Sequence, residues 1–330
     1  MSREQSAIIK GVAILLMLIY HVDDIIGIHG LDNGFYQTLI TASHPINYFL
    51  IVSGYGLYCS FVKNRITWSY LIKRSLKLYL AFWLVLSVFV FGLASWLYPG
   101  RFAMPWHEHV LNVIGWRWDY CLFTWFLLPY VLMSFTAKWI FRIIDRLGNV
   151  LSLVSGMCIY VFTSFLISRY FESWLQYHYE VYHVVLWAQT LFGLTIGAVM
   201  ARMYMAGKSI TLNQLYGKNL LIITLLIFSF ALRGLINTSV LNPFHASLVV
   251  WLILHLNFSE MYKTVFVELG DKSMIMWFAQ GFLGAKIFSE YILLLHWPWL
   301  IWVVWLLVCY IVACMFKPVV NGMARALKLS

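Results

Sequence analysis

Stretches long and apolar enough to cross a bilayer recur ten times in this chain. A crossing helix needs roughly 20 mainly apolar residues. Such runs lie at about 7–28, 46–62, 75–97, 121–141, 150–170, 183–203, 218–236, 241–257, 273–289 and 291–315. The second and eighth are short, and only "KIFSEY" separates the ninth from the tenth. The expected fold is therefore an all-α polytopic membrane protein of about ten transmembrane helices, forming one membrane-embedded domain over residues 1–330.

Composition agrees. Of 330 residues, 62% are hydrophobic and only 11% charged, against about 25% charged in soluble domains. Nothing is left over for a sizeable soluble domain. The first apolar run contains Lys10 and no small-residue cleavage site follows it, so it reads as a span rather than a leader.

The distribution of cations fixes the expected orientation and excludes a nucleic-acid partner. With the N-terminus on the cytoplasmic side, eighteen of the 23 Lys and Arg residues fall on the inner face. The remaining five are Arg101, Arg117, Arg169, Arg233 and Lys286. This split follows the positive-inside rule and supports an N-in, C-in topology with the bilayer as the partner of the basic loops. The net charge of +10 is thus a matter of topology.

Five cysteines lack C-x-x-C spacing and read as small apolar residues. His107 and His109 sit in an outer loop without H-E-x-x-H spacing, so no metal site is expected. There is no phosphate-binding Walker loop, no G-x-S-x-G elbow and no dinucleotide fingerprint.

Ionisable groups inside a span are costly and usually face a bundle interior or water. On a helix, Lys10, Met17, His21 and Asp24 fall within roughly 60° of one another. Lys10 lies near the cytoplasmic surface and His21 roughly 16 Å further along the axis, at 1.5 Å per residue. Asp24, three residues on, is close enough to hydrogen-bond the imidazole. Asp23 is the alternative partner. In the blander reading, His21 caps the outer end of the helix and both carboxylates belong to the loop.

Other clusters also carry two readings. "KRSLK", 73–77, is either a positive-inside anchor or a phosphate clamp in which Arg74 and Lys77 share a helical face. "FLIVSGYGLY", 49–58, places Ser53 and Gly54 in the second span, either for close helix packing or for backbone approach to a ligand. Pro129, in "TWFLLPYVL", is expected mid-span, where it would kink the helix. Trp116 and Trp118 lie in an aromatic outer loop, and Trp125 follows it. They are either an interfacial belt or a platform on which sugar rings stack.

Taken together, these segments resemble the integral-membrane acyltransferase 3 family, which includes bacterial O-acetyltransferases of surface polysaccharides. "KGVAILLMLIYH" resembles the family's opening pattern, with Lys10 where Arg is common and His21 in register. "FLIVSGYGLY" is similar to its Ser-Gly second helix. "KRSLKLYLAFW" resembles its R-x-x-R element with Lys77 in place of the second Arg. "TWFLLPYVL" looks like its Trp-bearing fourth helix. "GDKSMIMWFAQGFL", 270–283, resembles a late helix that often reads Ser-x-x-x-W-x-x-His; Gln280 stands where relatives carry His, and His296 is a candidate replacement.

The resemblance implies a membrane-bound O-acyltransferase of the bacterial inner membrane. It would move an acetyl group from acetyl-CoA to a hydroxyl of a glycan or glycolipid. Lys10, Arg74 and Lys77, with Ser53 and Gly54, would hold the donor. His21, a ring whose ordinary pKa is about 6.5, would be the general base, with Asp24 or Asp23 fixing its tautomer. Trp125, Trp116 and Trp118 would contact the acceptor. The alternatives are an exporter of a glycolipid or acyl group and an inactive relative that scaffolds glycan-assembly enzymes. The chain is compatible with a homo-oligomer.

Overall fold

The computed structural model describes residues 1–26, 34–100, 102–208, 218–236, 238–283, 294–295 and 297–329; the side chains of 22–26, 34–37 and 298 lie outside the description. Among the described residues every regular element is helical. In chain order we number them α1 (Arg3–Ile26), α2 (Gly34–Ala42), α3 (Ile46–Val62), α4 (Trp68–Leu86), α5 (Trp106–Val113), α6 (Leu127–Tyr170), α7 (Tyr179–Met205), α8 (Asn219–Leu235), α9 (Asn242–His255), α10 (Glu260–Gly281) and α11 (Pro298–Ala326). Among the described residues six stretches are long and apolar enough to cross a membrane, and two shorter apolar helices accompany them.

A glycine divides the longest helix. At 1.5 Å per residue the 44 residues of α6 would rise about 66 Å, over twice a hydrocarbon core of about 30 Å. Gly148, with φ 78° and ψ 176°, takes a conformation that side-chain-bearing residues avoid. It cuts α6 into two crossings, the expected fourth and fifth spans. Asp145, beside this break, accepts a hydrogen bond from Tyr58 at 2.6 Å and faces Arg202 at 4.0 Å. The kink expected at Pro129 does not occur. Pro129 is the third residue of α6, in the first turn, where a missing N–H leaves no helical bond unmade.

Two other boundaries move for electrostatic reasons. α4 begins at Trp68, not 75, because Thr67 caps it by accepting the Tyr70 N–H at 3.2 Å. The basic cluster at 73–77 therefore lies inside the helix. α10 begins at Glu260, thirteen residues before the expected 273. Its charged first half reads as a loop in sequence, but the charges are paired. Lys263 bridges Glu4 at 3.0 Å and Glu260 at 3.5 Å, Lys272 pairs with Glu268, and Tyr310 donates to Glu268 at 3.2 Å. His296 and Lys286 lie outside the described residues.

α1 sits within the bundle, packed chiefly against α10 and also against α3 and α11. Ile9, Ala13, Ile14 and Leu18 are fully buried. α1 and α10 run parallel: Lys263 meets Glu4 near their starts, Gly270 meets Ala7, and Gln280 meets His21 near their ends. Glycines permit the approach. A Cβ on Gly11 would lie 2.1 Å from Phe266 O, and one on Gly270 would lie 1.9 Å from Ala7 O. Such small-residue contacts let membrane helices pack backbone to backbone. Gly270→Leu is expected to cost at least ~1–3 kcal/mol by overpacking. The check is the melting temperature and monodisperse yield in detergent beside Gly56→Ala, where a Cβ meets nothing within 4 Å and both values should hold.

Candidate active site

His21 lines a cavity of about 440 Å³. Its ring stacks on Phe123, centroids 3.9 Å apart and planes 16° from parallel. Tyr20 meets it edge-on at 5.3 Å. Phe123 is held in turn, since its carbonyl accepts the Trp277 indole N–H at 3.1 Å. Met17, Leu50, Phe126 and Trp277 are among the apolar lining residues. Met17 shares the helical stripe of His21, so the periodicity of α1 puts both on the cavity side.

The cavity also has polar lining residues. His44, Asn47, Tyr160, Ser164, Gln189, Thr190 and Asn242 line it. These residues come from the α2–α3 turn and from α3, α6, α7 and α9, so distant parts of the chain converge there. No Asp, Glu, Lys or Arg is among the described lining residues.

Gln280 is the polar side chain that faces the His21 ring. It is fully buried. It lies close to the imidazole, but neither of its amide atoms nor His21 Nδ1 completes a hydrogen bond among the described residues. The alignment of a hydrogen bond is therefore missing, and a buried amide in that state retains donor and acceptor capacity for a third group. α1 continues through Asp23 and Asp24 to Ile26, which keeps Asp24 one turn beyond His21. The side chains of both carboxylates lie outside the described residues.

A second cluster lies one turn further along α6. Phe126 lines the cavity, and Tyr130, four residues on, packs against it at 5.6 Å. The Tyr130 hydroxyl is the hub: Arg74 donates to it at 2.5 Å and Ser53 shares a hydrogen bond with it at 2.9 Å. Arg74 Nε is buried without a partner among the described residues. Lys10 lies within electrostatic range of Arg74, Tyr130 and Lys317, and Lys317 in turn of Lys77. Four cations thus gather between α1, α4 and α11; Asp271, paired with Lys317, and Glu268, within range of it, are carboxylates beside them. Such a basin suits a polyanion.

The expected site residues do not all come together. Lys10, Arg74 and Ser53 come together, joined by Tyr130 and Lys317, which the sequence had not singled out. Lys77 is exposed and approaches α11 rather than sharing the Arg74–Tyr130 contact. Gly54 is used for packing: a Cβ there would lie 2.2 Å from Leu194 O on α7. Of the three Trp residues, Trp125 lines the cavity. Trp116 and Trp118 pack around His183, whose Nε2 lies 2.8 Å from Trp116 O, and Trp118 also meets Tyr182, which does line the cavity.

An acyltransferase-domain family model, Acyl_transf_3, matches residues 6–317. Neither a curated protein nor a solved structure matches the chain. The matched region takes in every helix from α1 to most of α11, including both the His21 cavity and the cation basin. A helical membrane bundle built over almost the whole of that match is a multi-pass acyltransferase, and the chain belongs to the acyltransferase 3 family.

Proposed function

We propose that this protein transfers an acetyl group from acetyl-CoA, held at the inner side of the membrane, to a hydroxyl of a glycan or glycolipid in the His21 cavity. One observation carries this reading. A half-buried imidazole lines a sugar-sized cavity that has polar lining residues, and helix α1 links it to a cationic basin. Lys10 and His21, eleven residues apart, are separated by about 16 Å along α1, a span suited to an extended pantetheine arm.

The residues of the basin fit the donor. Among the described residues the buried Arg74 Nε–H has no partner, and a guanidinium N–H is a strong donor to phosphate oxygens. Lys10 and Lys317 add charge nearby. Tyr130 and Ser53 hold the guanidinium in place.

His21 acts as general base. It removes the proton from the acceptor hydroxyl while that oxygen bonds to the thioester carbonyl carbon. The C–S bond then breaks, and the proton passes from the imidazolium to the departing thiolate. Phe123 holds the ring plane by stacking. The Gln280 amide stands beside it, a neutral donor for the oxygen that becomes negative. The N-in orientation expected from the Lys and Arg distribution puts His21 in the outer half of the membrane, which supports an acceptor reaching the cavity from outside the inner membrane of a bacterium.

The test is direct. The purified chain in nanodiscs, given acetyl-labelled acetyl-CoA and an acceptor glycan, should release free thiol and move the label to the glycan. An exporter would leave the thioester intact, and that result would remove this reading.

A further inference from the structure

A second cavity, of about 470 Å³, lies between the turn that joins α3 to α4, the start of α4 and the part of α6 that precedes Gly148. That is the size of a small-ligand site, roughly 300–1,000 Å³. Two helices build an aromatic wall: Trp68 on α4 meets Phe135 at 5.8 Å and Trp139 at 6.0 Å, both on α6. Lys138 and Arg142 also line the cavity. They stand four residues apart on α6, so they share a face about 6 Å apart along the axis. Asn64 and Thr67 add polar groups to the lining.

The charge here is positive. Lys63 and Arg65, on either side of Asn64 in the turn, are exposed and add to it. Asp145, three residues beyond Arg142, accepts from Tyr58 and faces Arg202. Residues 209–217, which connect α7 to α8 and lie outside the description, contain no Asp or Glu.

The cavity also continues into apolar surface. Trp68 is 61% exposed and Trp139 47%. On α4, exposed Ile72 and Leu76 follow Trp68 at four-residue intervals, and on α6 exposed Leu132 precedes Trp139 by seven, so each row shares a face with its indole. Indoles at this level belong with headgroups, and apolar rows below them with acyl chains.

We infer that this cavity binds an anionic phospholipid whose headgroup carries no cation, of the phosphatidylglycerol type. Lys138 and Arg142 take the phosphodiester oxygens. The headgroup hydroxyls meet Asn64 and Thr67, and one acyl chain follows the Ile72–Leu76 row. An indole wall alone would also attract a choline, but an ammonium brought beside two cations is repelled.

The full chain, delipidated in a non-ionic detergent, is titrated with phosphatidylglycerol, phosphatidylcholine and glycerol 3-phosphate, and the complexes are counted by intact mass spectrometry. Phosphatidylglycerol should bind about tenfold or more tighter than either other probe. Lys138→Gln combined with Arg142→Gln should bring the two lipids within about threefold. Neither side chain is buried, so the melting temperature should hold. Lys208→Gln combined with Lys218→Gln removes the same charge from exposed positions outside the cavity and should leave the preference unchanged. Trp68→Ala keeps both cations and should weaken phosphatidylglycerol by about threefold or more. Equal binding of the two lipids by the wild type would overturn the inference. So would an equal loss in the Lys208 and Lys218 variant, which would mean a diffuse basic surface, or glycerol 3-phosphate binding as tightly as the lipid, which would mean a free-phosphate site. Displacement of the lipid by adenosine 3′,5′-bisphosphate would give the cavity to a nucleotide and overturn it too. No acyl transfer is measured, so the result stands apart from the acetyl-CoA assay.

Discussion

His21→Ala should abolish acetyl transfer, a loss of ~10²–10⁴-fold, which is the usual contribution of a positioned general base. The substitution removes a ring whose main described contacts are Phe123 and Tyr20. The α1–α10 seam at Gly11 and Gly270 lies more than two turns away along α1, so the protein should insert and fold. The basin around Arg74 is also left intact. The expected signature is therefore a collapse of kcat at nearly constant requirement for acetyl-CoA, the pattern of an interaction made only in the transition state. His21→Gln keeps a polar side chain of similar reach but cannot take up and return a proton, so it should be as inactive as Ala. If either variant retains full turnover, His21 is a packing residue and the mechanism falls.

The resemblance to relatives left Gln280 as a puzzle, and its position gives it a physical role. A His there would set a second ring with the same proton chemistry beside His21. An amide is a donor and an acceptor at every pH and does not compete for the proton. Gln280→Leu fills nearly the same volume without polar atoms, so any fall in kcat in that variant reports the amide itself.

The helices were legible because apolar runs of crossing length have few other readings. What the sequence hid was where charge is tolerated inside them. Lys263, Glu268 and Lys272 made the start of α10 look like loop, yet each charge is answered by a partner, two of them from α1 and α11. Arg74 looked like an anchor at a membrane surface, but Thr67 starts the helix early and carries Arg74 nearly two turns inward. Pro129 read as a kink because its distance from the true helix start was not visible. The His21–Lys10 stripe was readable since 3.6-residue periodicity is local. Tyr130 was not: a tyrosine in an apolar helix has the signature of a belt residue, and its function depends on Arg74 arriving from 56 residues away. The polar lining of the cavity was equally hidden, because Asn47, Gln189 and Asn242 come from α3, α7 and α9, far apart in the chain.

Arg74→Ala should raise the acetyl-CoA requirement by about 10- to 150-fold, corresponding to the roughly 1.5–3 kcal/mol of a charge-assisted hydrogen bond. Turnover at saturating donor should change far less, since the His21 cavity is left standing. Two comparisons separate a phosphate site from a topological anchor. An anchor needs only positive charge near the inner face, so Arg74→Lys would then behave as wild type. A site that uses the planar fork of guanidinium, with Nε free for the ligand, should lose affinity in Arg74→Lys as well. Lys77→Ala should have a smaller effect, because that side chain is exposed and works through solvent-screened charge alone. Tyr130→Phe is the sharpest case. It keeps the Arg74 charge and removes the hydroxyl that aims it, so it should weaken donor binding without adding to the loss in Arg74→Ala when the two are combined. Additive losses would mean that Tyr130 acts elsewhere. An unchanged donor requirement in Arg74→Ala would return the whole cluster to membrane anchoring.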